Sequence, residues 1–233
     1  MDNGPIIVKI FTHQECVLCG ISSTQDFCKP CYDHLPRLPF HHCPTCLWPV
    51  PTAELCGACL TKPPAFTRTI AAVRYTFPID ALIHALKYQS NLAVAPILVD
   101  LLIEKLRVIP EKPDAIIPMP LHPIRIRERG YNQAMELSRY LARRMGIPLL
   151  PESCNRIRHT PPQTELPWKD RRENIRKAFS CEIDLTGKHI AVVDDVMTTG
   201  ATLNELAKIL RQHGATAISN WVVARTLPET GSA

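Results

Sequence analysis

Apolar residues follow two regimes along the chain. Up to about residue 62 they are scattered singly among prolines, cysteines and polar residues. From Thr69 onward they gather into short β-branched runs separated by stretches with helical spacing. Ile70-Ala71-Ala72-Val73-Arg74-Tyr75, Ala115-Ile116-Ile117, Ile190-Ala191-Val192-Val193 and Ala217 to Val223 predict strands. They show little polar alternation, as strands buried on both faces of a parallel sheet do. Between them, Ile79 to Lys87 reads as a short amphipathic helix and Leu92 to Leu106 as a longer one. Ala134, Leu137, Ser138, Leu141 and Met145 share the face of a third helix that ends at Gly146. Leu203, Leu206, Ala207 and Leu210 share the face of a fourth that stops at Gly214. Strand–helix–strand order repeated in this way predicts a right-handed α/β sheet.

The run from Ile190 to Leu203 carries the densest chemistry. Asp194 and Asp195 stand where the strand is expected to end, then Thr198, Thr199, Gly200, Ala201 and Thr202 lead into a helix. Ligands bind above the strand C-termini of open α/β sheets. A small-residue loop at a helix N-terminus offers N–H groups and hydroxyls to an anion. Adjacent carboxylates accept hydrogen bonds from hydroxyls, so the combination suits a molecule with a phosphate and a diol. Each feature alone also serves ordinary turns and caps; strand, acid pair, loop and helix in unbroken succession favour a ligand site.

Two further segments belong with it. Pro118-Met119-Pro120-Leu121 leaves the strand at Ile117 abruptly, and its prolines fix a tight turn there. Arg125, Arg127 and Arg129 follow on what reads as a loop at the sheet edge, where guanidinium groups suit an anion. Arg156 to Phe179 is proline-rich in its middle and holds six Arg and Lys residues between Arg158 and Lys177. Its length and polarity are those of a lid.

The ten cysteines change the picture of the first part. Eight form C-x-x-C pairs: Cys16/Cys19, Cys28/Cys31, Cys43/Cys46 and Cys56/Cys59. Two pairs complete a tetrahedral Cys₄ shell of the kind Zn²⁺ accepts, so eight ligands predict two structural zinc sites. Redox dithiols or an iron–sulfur cluster are the other uses of such pairs. A segment this short buries too little apolar surface to fold without a staple, which favours zinc. Sequential pairing, Cys16, Cys19, Cys28 and Cys31 on one ion and Cys43, Cys46, Cys56 and Cys59 on the other, is the expected order; a cross-braced arrangement stays open. Cys154 and Cys181 read as ordinary buried cysteines.

Composition bounds the rest. The chain has 233 residues, 22 prolines against nine glycines and a formal charge of +5, too modest to argue by itself for nucleic acid. No run reaches the ~20 apolar residues of a membrane span, and Met1 to Lys9 lacks the form of a signal peptide. The expected location is the cytoplasm, without membrane insertion. The expected layout is a Cys-rich module over 1–62, a linker over 63–68 around Lys62-Pro63-Pro64-Ala65-Phe66, and an α/β domain over 69–233.

The 190–203 stretch resembles the phosphoribosyl-pyrophosphate (PRPP) motif of type I phosphoribosyltransferases. The cysteine pairs, Leu86-Lys87-Tyr88, Pro118 to Leu121, Arg129-Gly130-Tyr131-Asn132-Gln133, Arg156 to Gln163 and Arg172 to Phe179 together resemble the ComF/GntX family of bacterial proteins, linked to DNA uptake and utilisation. The resemblance implies a type I phosphoribosyltransferase fold, a parallel sheet flanked by helices, preceded by a double zinc ribbon. It implies PRPP or a related ribose phosphate with Mg²⁺: Asp194 and Asp195 on the ribose hydroxyls, Thr198 to Thr202 on the 5′-phosphate, Pro118 to Leu121 as the pyrophosphate loop and Arg156 to Phe179 as the hood. Arg129, Arg156 and Arg172 are the candidate catalytic cations, and the acceptor is unknown. Non-catalytic single-stranded DNA binding, with Trp168 or Tyr131 stacking on bases, or an adaptor role towards a helicase or uptake partner, is the alternative.

Overall fold

The computed structural model describes residues 14–158 and 178–228. The chain divides into two compact units, Met1–Leu35 and Pro36–Ala233. In the first, β1 (Gln14–Glu15) and β2 (Ser22–Ser23) pair antiparallel, and α1 (Lys29–Asp33) follows with Cys28 at its N-cap. Cys16 and Cys19 occupy the turn between the strands, while Cys28 and Cys31 sit at the start of the helix.

The larger unit repeats that plan. A cysteine turn at Cys43–Cys46 precedes α2 (Gly57–Thr61), which has Cys56 at its N-cap. The α/β part follows: β3 (Arg68–Arg74), α3 (Ile79–Tyr88), α4 (Val94–Leu106), β4 (Ala115–Pro118), α5 (Pro123–Arg129) and α6 (Gln133–Met145). Next come β5 (Cys154–Arg156), β6 (Phe179–Cys181), β7 (His189–Met197), α7 (Ala201–Gln212) and β8 (Ala217–Arg225). Four strands form one parallel sheet in the order β3-β8-β7-β4, and β5 pairs antiparallel with β6.

Side-chain alternation along β7 assigns its two faces. Ile190 and Val192 pack with Leu203, Leu206, Ala207 and Leu210 of α7 and with Ile218 and Val222 of β8. The opposite face of the sheet is covered by α4 and α6, with α3 against α4. The parallel α/β expectation therefore holds, and strands buried on both faces explain the absence of polar alternation. Among the described residues no helix is long and apolar enough to cross a membrane.

Two local readings need correction. First, β7 runs through both aspartates to Met197, because its backbone pairing with β8 continues at Asp194–Val222, Val196–Ala224 and Met197–Arg225. Second, Arg125, Arg127 and Arg129 lie on a helix, not a loop. Pro123 occupies the first turn of α5, the His122 ring accepts from the Ile124 N–H, and Gly130 closes the helix at φ 86°. The boundary between the compact units falls at Leu35–Pro36, so the second cysteine group lies in the larger unit. Phe66 is 5% exposed within the α7 core cluster, which also takes in Leu47. Ala65 donates its N–H to Asn204 Oδ1 at 2.7 Å and accepts from Arg211 Nε at 3.0 Å.

A packed segment and a free linker differ in energy. Phe66→Ala should lower the unfolding free energy by about 3–5 kcal/mol, the cost of emptying an aromatic core site. A solvated linker would give a change within about 0.5 kcal/mol; urea unfolding of the full chain distinguishes the two.

Candidate functional site

The end of β7 and the start of α7 enclose a small open cavity of about 40 Å³. Asp194, Val196, Met197, Thr198, Gly200, Thr202 and Leu203 line it. Gly200 makes the turn possible: its φ is 77°, and a Cβ there would come within 2.6 Å of the Met197 methyl. Thr199 Oγ1 accepts from the Ala201 N–H at 3.1 Å and the Asn204 N–H reaches the Gly200 carbonyl at 2.9 Å, starting the twelve-residue helix. The cavity thus sits at a helix N-terminus, where the dipole and the first-turn amides favour an anion.

Being adjacent on a strand, Asp194 and Asp195 point to opposite faces. Asp194 lines the cavity and is half-buried; Asp195 is 3% exposed and meets Lys87 of α3, with Nζ to Oδ1 at 2.9 Å. Burial pulls the Lys87 ammonium down, but the charge and hydrogen bond of Asp195 outweigh it and hold Lys87 above its ordinary value. The other oxygen of Asp195, Oδ2, is buried and has no hydrogen-bond partner among the described residues, an acceptor that a hydroxyl donor would satisfy. Burial, and then the charge of Asp195, raise the Asp194 carboxyl to about 7; Lys87, the Asp195 N–H and Arg156 act the other way. The Asp195 amide donates to Asp194 Oδ1 at 2.9 Å.

The remaining candidates separate. Pro118, Met119 and Pro120 are buried and Leu121 is half-buried; the Met119 N–H joins the Val193 carbonyl at 2.8 Å, which seats this turn beside the acid pair. The Arg129–Gln133 segment braces it: Asn132 Nδ2 donates to the Met119 carbonyl at 3.0 Å, and the Tyr131 hydroxyl donates to the Leu86 carbonyl at the end of α3. Arg129 bonds Gln133 and stacks 5.1 Å from the Tyr88 ring centre, so it serves this brace. Arg156 stands at the stem of the β5–β6 hairpin, over Phe179. Burial lowers its pKa, while the Asp194 charge acts the other way. Arg172 and Trp168, with most of the expected hood, lie outside the described residues.

The cysteines assemble sequentially. The sulfurs of Cys16, Cys19, Cys28 and Cys31 all lie within 4.8 Å of one another, as do those of Cys43, Cys46, Cys56 and Cys59. Cys19–Cys28 and Cys46–Cys56 are 3.6 and 3.5 Å apart. Four thiolates about 2.3 Å from a tetrahedral ion stand about 3.8 Å from each other, so both groups could hold Zn²⁺. At Cys16 burial opposes ionisation, but amide donors from Cys28, Leu18 and Cys19 prevail and leave the thiol lowered to about 6. Cys43 follows the same pattern, with amides of Cys56, Cys46 and Thr45 bringing it to about 7. Hydrogen bonding from Cys28 and Cys19 pushes Cys31 up to about 12, since clustered thiols cannot all ionise without a cation among them. Cys154 and Cys181 face each other across β5 and β6, both buried.

Residues 85–230 match the phosphoribosyl transferase domain family. The chain is 37% identical over 207 residues to competence protein F of Haemophilus influenzae, an alignment covering 85% of this chain and 90% of that protein. It is 35% identical over 191 residues to the DNA utilization protein YhgH of Salmonella typhimurium, covering 79% and 84%. The chain belongs to the ComF family. Among solved structures, the purine phosphoribosyltransferase of Pyrococcus horikoshii is similar at 23% identity and a TM-score of 0.36, over 59% of this chain and 89% of that one, a likeness too distant to bear on function.

In this ComF-family chain, reading the residues missed Lys87 as the partner of Asp195. The signal was present: Lys87 falls four residues after Ile83 and eight after Ile79, on the buried stripe of α3. A lysine on such a stripe needs a buried counter-charge. Asn132 and Tyr131, taken as part of a functional segment, hold the turn and α3 in place. The elevated Asp194 carboxyl makes a prediction about stability. Between its ordinary value of 3.8 and about 7 the folded chain retains a proton that the unfolded chain releases, so its contribution to stability falls as pH rises through that interval. Relative to Asp194→Asn, the wild type should lose urea resistance from about pH 4 to about pH 7 and hold a constant deficit above about pH 8. A difference independent of pH would contradict the assignment.

Proposed function

We propose that the cavity at the start of α7 binds the ribose 5-phosphate part of PRPP or a related ribose phosphate, and that this site serves the uptake or utilisation of DNA. The observation that carries the reading is the convergence of Asp194, Thr198, Gly200 and Thr202 on one cavity at a helix N-terminus. In this arrangement the 5′-phosphate lies on the amides and hydroxyls of residues 198–202. The ribose diol meets Asp194, while Asp195 holds Lys87 behind it. The pyrophosphate faces the Pro118–Leu121 turn. Mg²⁺ would enter as the ligand's own counter-ion and would supply neutralisation of the leaving charge. Zn²⁺ in the two cysteine groups is structural, because four thiolates leave no open coordination position.

If the chain is a transferase, loss of pyrophosphate leaves a cation-like ribose carbon that an acceptor attacks from the opposite face. Arg156, whose charge acts on Asp194, is the candidate to stabilise charge there, and Asp194 positions the sugar. The names of the relatives, competence protein F and DNA utilization protein, support the cellular role. The α5 arginines and the exposed Tyr88 that Arg129 stacks on favour a second reading, in which the same chain handles single-stranded DNA.

Isothermal titration tests the first reading. Wild type should bind PRPP with Mg²⁺, and Asp194→Asn should weaken binding roughly 10–100-fold, the range expected for losing a charge-assisted hydrogen bond. Absence of binding by wild type at millimolar PRPP would overturn it.

A further inference from the structure

Behind the phosphate loop lies a charged side chain that neither the acid pair nor the cavity uses. Arg225, the last residue of β8, is 4% exposed. Its Nε donates to the carbonyl of Cys46 at 2.9 Å. Its Nη1 donates to the carbonyl of Met197 at 3.0 Å, and also to those of Thr198 and Thr226. One guanidinium therefore ties the second cysteine turn to the first residues of the phosphate loop. Burial lowers its pKa, and the cysteine sulfurs Cys46, Cys56 and Cys59 act in the opposite sense.

The geometry of the peptide bond gives this contact a direction. In a trans peptide the C=O and the following N–H point oppositely. Holding the carbonyls of Met197 and Thr198 on Arg225 turns the N–H groups of Thr198 and Thr199 away from the guanidinium. The cysteine turn is itself anchored: the Pro44 carbonyl accepts from the Thr69 N–H at 3.4 Å, and Leu47 is 3% exposed in the cluster that holds Phe66 and Met197. Within the turn, the Cys43 N–H meets the Trp48 carbonyl and the Leu47 N–H meets the Cys43 carbonyl, both at 2.8 Å. An ion on Cys43, Cys46, Cys56 and Cys59 would lock that turn and with it the direction of the Cys46 carbonyl.

We propose that Arg225 is a positioning residue that couples metal occupancy of the second cysteine group to the phosphate loop, so that the loop presents its amides to an anion only while that group holds its ion. The ligand half of the proposal rests on the ribose-phosphate reading above; the coupling of metal to loop does not. Lysine keeps the charge at this position but lacks the fork that spans two backbone segments. A residue of merely structural importance would lower stability and raise amide exchange throughout the larger unit, whereas a positioning residue acts on the loop.

The test uses the full chain, with ribose 5-phosphate as the probe and Arg144→Lys, on the exposed side of α6, as the control. Metal content, hydrogen exchange of the peptide covering 197–203 and ribose 5-phosphate affinity are read together. Arg225→Lys should keep two metal ions per chain, speed exchange in 197–203 selectively, and weaken ribose 5-phosphate at least roughly tenfold, the loss of about one charged hydrogen bond's worth of order. Cys59→Ser should lose one ion and give the same two changes, which keeps the proposal testable if the arginine variant folds poorly. Unchanged exchange in 197–203 in either folded variant would overturn the coupling. Wild type that fails to bind ribose 5-phosphate while the exchange changes occur would overturn the ligand reading and leave the coupling supported. Equal acceleration of exchange across β3, β7 and β8 would also overturn it, in favour of a general role in stability.

Discussion

Two adjacent carboxylates at the end of a buried central strand are the constraint around which the larger unit is built. Strand geometry sends them to opposite faces, so the two carboxylates meet different surroundings. Asp195, on the face covered by α3, α4 and α6, is met by Lys87 at 2.9 Å. Asp194, on the α7 face, opens on the cavity; burial and the charge of Asp195 outweigh Lys87, the Asp195 N–H and Arg156, so its carboxyl rises to about 7. Burying charge in this way costs stability unless something compensates. One carboxylate is held on a buried lysine, and the other is left on the wall of the cavity.

The supports of the acid pair come from distant parts of the sequence. The Tyr131 hydroxyl fixes the end of α3 that carries Lys87, Asn132 fixes the Pro118–Leu121 turn, and Arg225 fixes the carbonyls of Met197 and Thr198. Each is a side chain bonding to backbone, which locates a turn without a large core beneath it. The second cysteine group belongs to this set. Its turn contributes Leu47 to the core and the Cys46 carbonyl to Arg225, so it forms part of the wall of the larger unit, while the first group lies in the smaller one.

Periodicity made most of the fold legible. The strand runs at residues 70–75, 115–117, 190–193 and 217–223 and the four main helices all stand near their expected places, because strands buried on both faces must be continuously apolar. The last four residues of β7 were not legible, since Asp194 and Asp195 interrupt the apolar run while the backbone ladder continues beneath them. The α5 helix escaped because its seven residues, none of them buried, show no apolar stripe, although Pro123 and Gly130 marked both of its ends. The eight cysteines group in the order read from their spacing, and Asp194 and the Thr/Gly loop share one cavity wall. Lys87 and Arg225 depend on contacts 108 and 179 residues away in sequence, to Asp195 and Cys46, and local pattern carries no record of such partners.

The measurement that bears most directly on the central claim is a crystal structure of the chain grown with PRPP and Mg²⁺. The account predicts the 5′-phosphate within hydrogen-bond distance of the residue 198–202 amides, with a ribose hydroxyl on Asp194 and the Lys87–Asp195 pair intact. A phosphate bound elsewhere on the protein, with the start of α7 left to solvent, would contradict it.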